Sequence, residues 1–157
     1  MSNYISHVFS AEDQQKATDL FNQLLALFGF CINLSTDQRS ELPKLSDGRL
    51  PFTEKAIDIG NQESQIVAPY ISLDEFKKDI DLFKVMGPFE ILAGKLFELI
   101  SDTRMAAGTD AYAAARSIYT SAQNAEKNGV PGMKLIVDEL GVLFKGQGNT
   151  RGNSSSK

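Results

Sequence analysis

Ser72-Leu-Asp-Glu-Phe-Lys-Lys-Asp-Ile-Asp-Leu-Phe83, continued by Lys84-Val-Met-Gly-Pro-Phe89 and running on to Ala107, is the stretch whose reading decides the fold. Ser72 and Glu75 stand in capping-box order: the hydroxyl can accept from a free amide of the first turn while the carboxylate reaches back. Apolar residues then recur at Leu73, Phe76, Ile80 and Phe83, and again at Phe89, Leu92, Leu96 and Leu99. Three-and-four spacing of this kind lines one face of a helix. It predicts a long helix over about 73–107, with the other helices covering its stripe. Gly87-Pro88 disturbs it, because a proline inside a helix removes one backbone hydrogen bond and clashes with the carbonyl four residues back. The rhythm agrees: after Phe83 it needs Met86, Phe89 and Leu92 before Leu96, losing one residue of phase. A helix that bends and continues is the expectation, and two helices meeting there is the alternative.

Working outward toward the N-terminus, residues 1–9 form a lead-in in which Val8 and Phe9 are expected to staple onto a helix capped by Ser10. Ala17, Leu20, Phe21, Leu24, Phe28 and Cys31 then predict a core helix over about 11–32. Ser35-Thr-Asp-Gln38 repeats the capping-box form ahead of a short helix ended by Pro43, and Asp47-Gly48 signals a turn. Pro51 opens another short helix in which Phe52, Ala56 and Ile59 share a face and which Gly60-Asn61 closes. Residues 33–71 therefore read as a connector with short helices.

Beyond the long helix, Ala107-Gly-Thr109 reads as a break, with Thr109 as N-cap and Asp110 in the first turn of a helix over about 110–128. Ala111, Ala114, Ala115, Ile118, Ala122 and Ala125 give that helix a face of small residues, with Tyr112 and Tyr119 one strip over. Within the chain this face is expected to pack on the long helix; a two-fold homodimer is the other arrangement. Asn128-Gly129 is a stop, and Pro131 precedes a last helix over about 132–145 lined by Met133, Ile136, Val137, Leu140, Leu143 and Phe144. Residues 146–157 hold Gly, Asn, Ser, Thr and two basic residues, Arg151 and Lys157, with nothing to bury, and read as a disordered polar tail. The expectation is thus an all-α, bundle-like single domain over 1–145, built from three long helices and a C-terminal helix.

Composition narrows the function. A hydrophobic fraction of 42% and a charged fraction of 23% suit a soluble globular chain. With 20 acidic against 16 basic residues and a net charge of -4, the chain lacks the basic excess that phosphate backbones select, so no nucleic-acid partner is expected. No apolar run approaches the ~20 residues that span a bilayer, and the N-terminus has no signal-peptide form, so no membrane partner and a cytoplasmic location are expected. Cys31, the single cysteine, reads as a small buried hydrophobe.

The residue inventory is poor in chemistry. His7 is the only histidine and lies in the lead-in, so a metal site of the His-rich or Cys-rich kind cannot be assembled, and no Glu-x-x-His supports a di-iron bundle. No phosphate-binding glycine loop and no nucleophile elbow occurs. Neither a cofactor nor a catalytic residue is therefore assigned. Lys77, Lys78, Asp79 and Asp81 read as a solvated face. One polar cluster stands out: Asp102 and Arg104 flank the end of the apolar stripe, and with Tyr112 and Tyr119 they form the candidate lining of a cleft for a small anionic or aromatic ligand.

Arg39-Ser-Glu-Leu-Pro-Lys44, Pro69-Tyr70, Asp102-Thr-Arg104, Ala107-Gly-Thr-Asp-Ala-Tyr112, Tyr119 and Gly129-Val-Pro-Gly-Met-Lys134 together resemble a group of small bacterial proteins, over roughly residues 35–144. The resemblance implies bacterial origin and an all-helical fold; that group has no assigned activity or catalytic residue, so it carries no site. Read from its residues, the chain is expected to be a non-catalytic interaction or scaffold protein. The alternative is a ligand-binding or weakly enzymatic bundle that uses the cleft.

Overall fold

Capping and apolar spacing resolve into five helices in the computed structural model, which describes residues 3–146: α1 Ala11–Leu27, α2 Thr36–Glu41, α3 Leu50–Gln62, α4 Leu73–Lys127 and α5 Met133–Gly146. Short 3-10 turns at Asp47–Arg49 and Ser64–Ile66 flank α3, and no strand occurs among the described residues. The chain is all-α. Apart from Gly146, which ends α5, the polar tail lies outside the described residues.

The helix count differs from the sequence expectation. The long helix does not stop at Ala107: α4 is one helix from Leu73 to Lys127, with Pro88 inside it. Of the three break signals, Gly108 is an ordinary helical residue and the other two have another use. Gly108 does not adopt a positive φ, a conformation confined to Gly129 and Gly132 among the described glycines. Thr109 donates its hydroxyl to the Met105 carbonyl at 3.0 Å, a bond back along its own helix instead of a cap. Asp110 Oδ2 accepts from the amides of Tyr4 at 2.8 Å and Ile5 at 3.4 Å. The surrounding alanines favour helix, and one interior glycine costs only about 1 kcal/mol against them. Because the Ala-rich face and the long stripe belong to one helix, they cannot pack on each other as expected.

The chain divides into two units, and the division falls within α4 between Glu98 and Leu99. One unit is His7–Glu98. Here α1 starts as expected, with Ser10 accepting from the Asp13 amide at 3.0 Å, but it ends at Leu27 and turns through Phe28-Gly-Phe30. Phe28 meets Phe89 of α4 edge-on, with ring centroids 5.4 Å apart. Val8 and Phe9 stay exposed, so no staple forms, and Cys31 is exposed instead of buried. The capping box at Ser35 and Gln38 is complete, and α2 ends at Glu41, short of Pro43. In α3 the buried face is Ile57 and Gly60, not the face of Phe52, Ala56 and Ile59. Gly60 does not close the helix; it lets Leu73 approach, since a Cβ there would sit 3.1 Å from Leu73 Cδ2. Ile80 of α4 is buried as well, and Glu54 and Lys84 pair at 2.7 Å between the two helices.

The other unit takes in the lead-in up to Ser6 and the chain from Leu99 onward. Asp110 ties the lead-in to α4, and Ala122 of α4 and Gly141 of α5 are its buried residues. Across the described chain, large apolar side chains remain exposed in long series: Leu20, Leu24, Leu25 and Leu27 on α1, Ile91, Leu92, Phe97 and Leu99 on α4, and Leu135, Val142 and Leu143 on α5.

Candidate functional site

The turn between α4 and α5 brings two helix faces together. At the end of α4, Val130 N–H donates to the Ala125 carbonyl at 3.0 Å and Gly129 N–H to the Glu126 carbonyl at 2.9 Å, the paired bonds of a Schellman cap. Gly129 supplies the left-handed residue this needs, with φ 76°, and Gly132 follows at φ 82°. Pro131 sits between them, so the connection is short and stiff, and α5 begins at Met133.

Between the two helices lies an open groove of about 210 Å³, lined by Tyr112, Ala115, Arg116 and Tyr119 from α4 and by Leu140, Leu143 and Phe144 from α5. Tyr112, Arg116 and Tyr119 lie four and three residues apart, which places them along one side of a helix. The Arg116 guanidinium stands over the Tyr112 ring at 5.9 Å from its centroid, within cation–π range. Tyr119 and Phe144 pack with centroids 5.6 Å apart and ring planes inclined by 33°. Gly141 makes the Tyr119 position attainable: a Cβ at residue 141 would come within 3.1 Å of the phenol oxygen.

Of the four residues singled out in the sequence, Tyr112 and Tyr119 share this groove, while Asp102 and Arg104 stand exposed on an earlier part of α4 and do not line it. Arg104 precedes Tyr112 by eight residues, a rise of about 12 Å in an unbroken helix. The cation of the groove is Arg116 instead, with Leu140, Leu143 and Phe144 as its apolar partners. Arg116 was legible in sequence as the residue one turn after Tyr112 and one turn before Tyr119. The contribution of α5 depends on the turn geometry and carried no local signal.

A second cleft, of about 420 Å³ within the His7–Glu98 unit, runs between α3 and α4 past Glu54, Asp58, Lys77, Asp81 and Lys84. Its charges largely serve one another: Lys84 pairs with Glu54, and Lys77 pairs with Asp81 at 2.9 Å. The Glu54 carboxylate, by hydrogen bond and then by charge, holds the Lys84 ammonium above its ordinary value of 10.5. Among the described residues no group of three or more His, Cys, Asp and Glu side chains is arranged to hold a metal ion. No helix among them is long and apolar enough to cross a membrane.

The fold and groove thus define an all-α chain with a small aromatic groove between its last two helices. No protein-family model, curated protein or solved structure matches the chain.

Proposed function

We propose that the protein is a non-catalytic interaction or scaffold protein whose helices complete their apolar packing on a protein partner. The observation that supports this reading is the apolar surface left open along α1, α4 and α5. The chain exposes 13957 Å². A folded monomer of this mass exposes about 7,800 Å², and two separate folded units of half the mass about 9,400 Å². Fully extended area for residues 147–157, about 1,600 Å², does not close the gap. The surplus of roughly 3,000 Å² is several times the ~800 Å² that each partner contributes to an ordinary stable interface. α1 illustrates the need: it has no buried residue, and most helical stability in a protein comes from packing an amphipathic face.

The test is the behaviour of the purified chain on dilution. The reading expects binding of a hydrophobic dye by the isolated chain, shallow thermal unfolding, and sharper unfolding with loss of dye binding once a partner or a second copy is bound. A dilute monomer that unfolds cooperatively and binds no dye would sink it. Leu24→Asp, on the exposed side of α1, is expected to abolish the association while leaving the helicity of the isolated chain nearly unchanged.

A further inference from the structure

We infer that the groove between α4 and α5 binds a small aromatic carboxylate, with Arg116 holding the carboxylate and Tyr119, Leu140 and Phe144 holding the ring. This goes beyond the assembly reading: every residue used lies within one unit and on two consecutive helices, and only Leu143 of the lining also belongs to the exposed apolar series named above.

Three features select the ligand class. The first is charge: Arg116 is the one ionisable group of fixed charge in the lining and takes part in none of the ion pairs among the described residues. Its guanidinium is planar and presents paired donors that match a carboxylate, and it stands over the Tyr112 ring at the groove wall. The second is the character of the rest of the lining, two phenols, one phenyl and aliphatic carbon, which favours an aromatic body over a hydrated sugar or phosphate. The Tyr119 hydroxyl lies against Gly141 of α5 and makes no hydrogen bond to another described residue. The third is size. A cavity of about 150 Å³ admits benzene, so about 210 Å³ has room for a ring with a short acidic arm. An open groove of this size gives weak binding, with a dissociation constant on the order of 1 mM.

The full chain provides its own optical probe. It has no tryptophan and four tyrosines, two of them in the groove, so tyrosine emission reports occupancy directly. Titration with phenylacetate is expected to give a saturable change, with amide shifts in a nitrogen-15 spectrum confined to α4 and α5 around Arg116 and Phe144. Phenylacetamide, which lacks the charge, is expected to bind about tenfold more weakly, and acetate, which lacks the ring, not measurably. Arg116→Gln is expected to erase the preference for the acid over the amide while leaving helicity and the unfolding midpoint unchanged. Gly141→Ala is expected to weaken both ligands by displacing Tyr119. The inference fails if phenylacetate does not saturate, if acetate binds as well as phenylacetate, or if Arg116→Gln keeps the acid preference. It fails equally if a peptide ending in Phe binds more tightly than phenylacetate, which would assign the groove to a chain terminus, or if Arg116→Gln disrupts a protein association while no small acid binds.

Discussion

A single methyl group separates two kinds of glycine in this chain. Gly60 faces Leu73 and Val67, and a Cβ there would lie 3.1 Å from Leu73 Cδ2 and 3.4 Å from Val67 Cγ2. Alanine gains about 1 kcal/mol of helix propensity at such a site and roughly offsets the crowding, but a branched side chain does not fit. Gly60→Val is expected to destabilise the chain by about 1–3 kcal/mol, read from the denaturant midpoint. Lys84 gives a residue-scale prediction in pH. Its ammonium is raised by the hydrogen bond and charge of Glu54, so whatever the pair contributes is present below the ordinary lysine value of 10.5 and is lost as pH rises through the higher folded value. The small difference in unfolding midpoint between the parent and Lys84→Met is therefore expected to hold at neutral pH and to vanish in strong alkali. A difference that grew with alkalinity would contradict the pairing. Both side chains are substantially exposed, which keeps the effect small.

At the scale of elements, Gly108 and Gly129 look alike in sequence, each following a helical run, and they behave oppositely. Gly129 holds φ 76° in the Schellman cap, so Gly129→Ala forces a side chain into a left-handed residue and is expected to cost about 1–2 kcal/mol. Gly108 is an ordinary helical residue with nothing within 4 Å of a built Cβ, so Gly108→Ala is expected to stabilise by about 0.5–1 kcal/mol and to raise helical ellipticity. A loss of stability in Gly108→Ala would restore the break that the sequence suggested. This pair also marks where the sequence was readable. Ser10, Ser35 and Gly129 announced helix ends correctly because caps are local, settled by bonds within a few residues. Gly108-Thr-Asp110 announced an end that does not exist, because Thr109 and Asp110 spend their oxygens elsewhere: one on Met105, the other on residues more than a hundred positions away. The groove was half legible for the same reason. Tyr112 and Tyr119 share a face by helical period alone, whereas Phe144 and Leu140 join them only through the turn that follows.

Across the whole chain, burial and apolar content disagree. Spacing on α1, α4 and α5 encodes faces meant for packing, yet the described residues bury only Ile57, Ile80 and Ala122 among their hydrophobic side chains. Apolar period therefore identified which residues need cover without identifying what covers them, since cover is a property of the partner surface and not of the element. The link from Asp110 to the lead-in offers a measurement at this scale. Asp110→Ala removes the acceptor for Tyr4 and Ile5, and the amides of those two residues are expected to exchange hydrogen faster while amides in α3 keep their protection. Slow exchange at Tyr4 in the variant would show that another group holds the lead-in.

That same link has a consequence for how the protein can be cut and made. The unit containing α5 is discontinuous in the chain: it combines the lead-in up to Ser6 with the chain from Leu99 onward, and the whole of the other unit is spliced between them. A single scission between Glu98 and Leu99 leaves His7–Glu98 whole on one product but strips the other product of its lead-in. On the ribosome the order is equally uneven. The amides of Tyr4 and Ile5 emerge some hundred residues ahead of their acceptor, by which time the intervening unit is already outside.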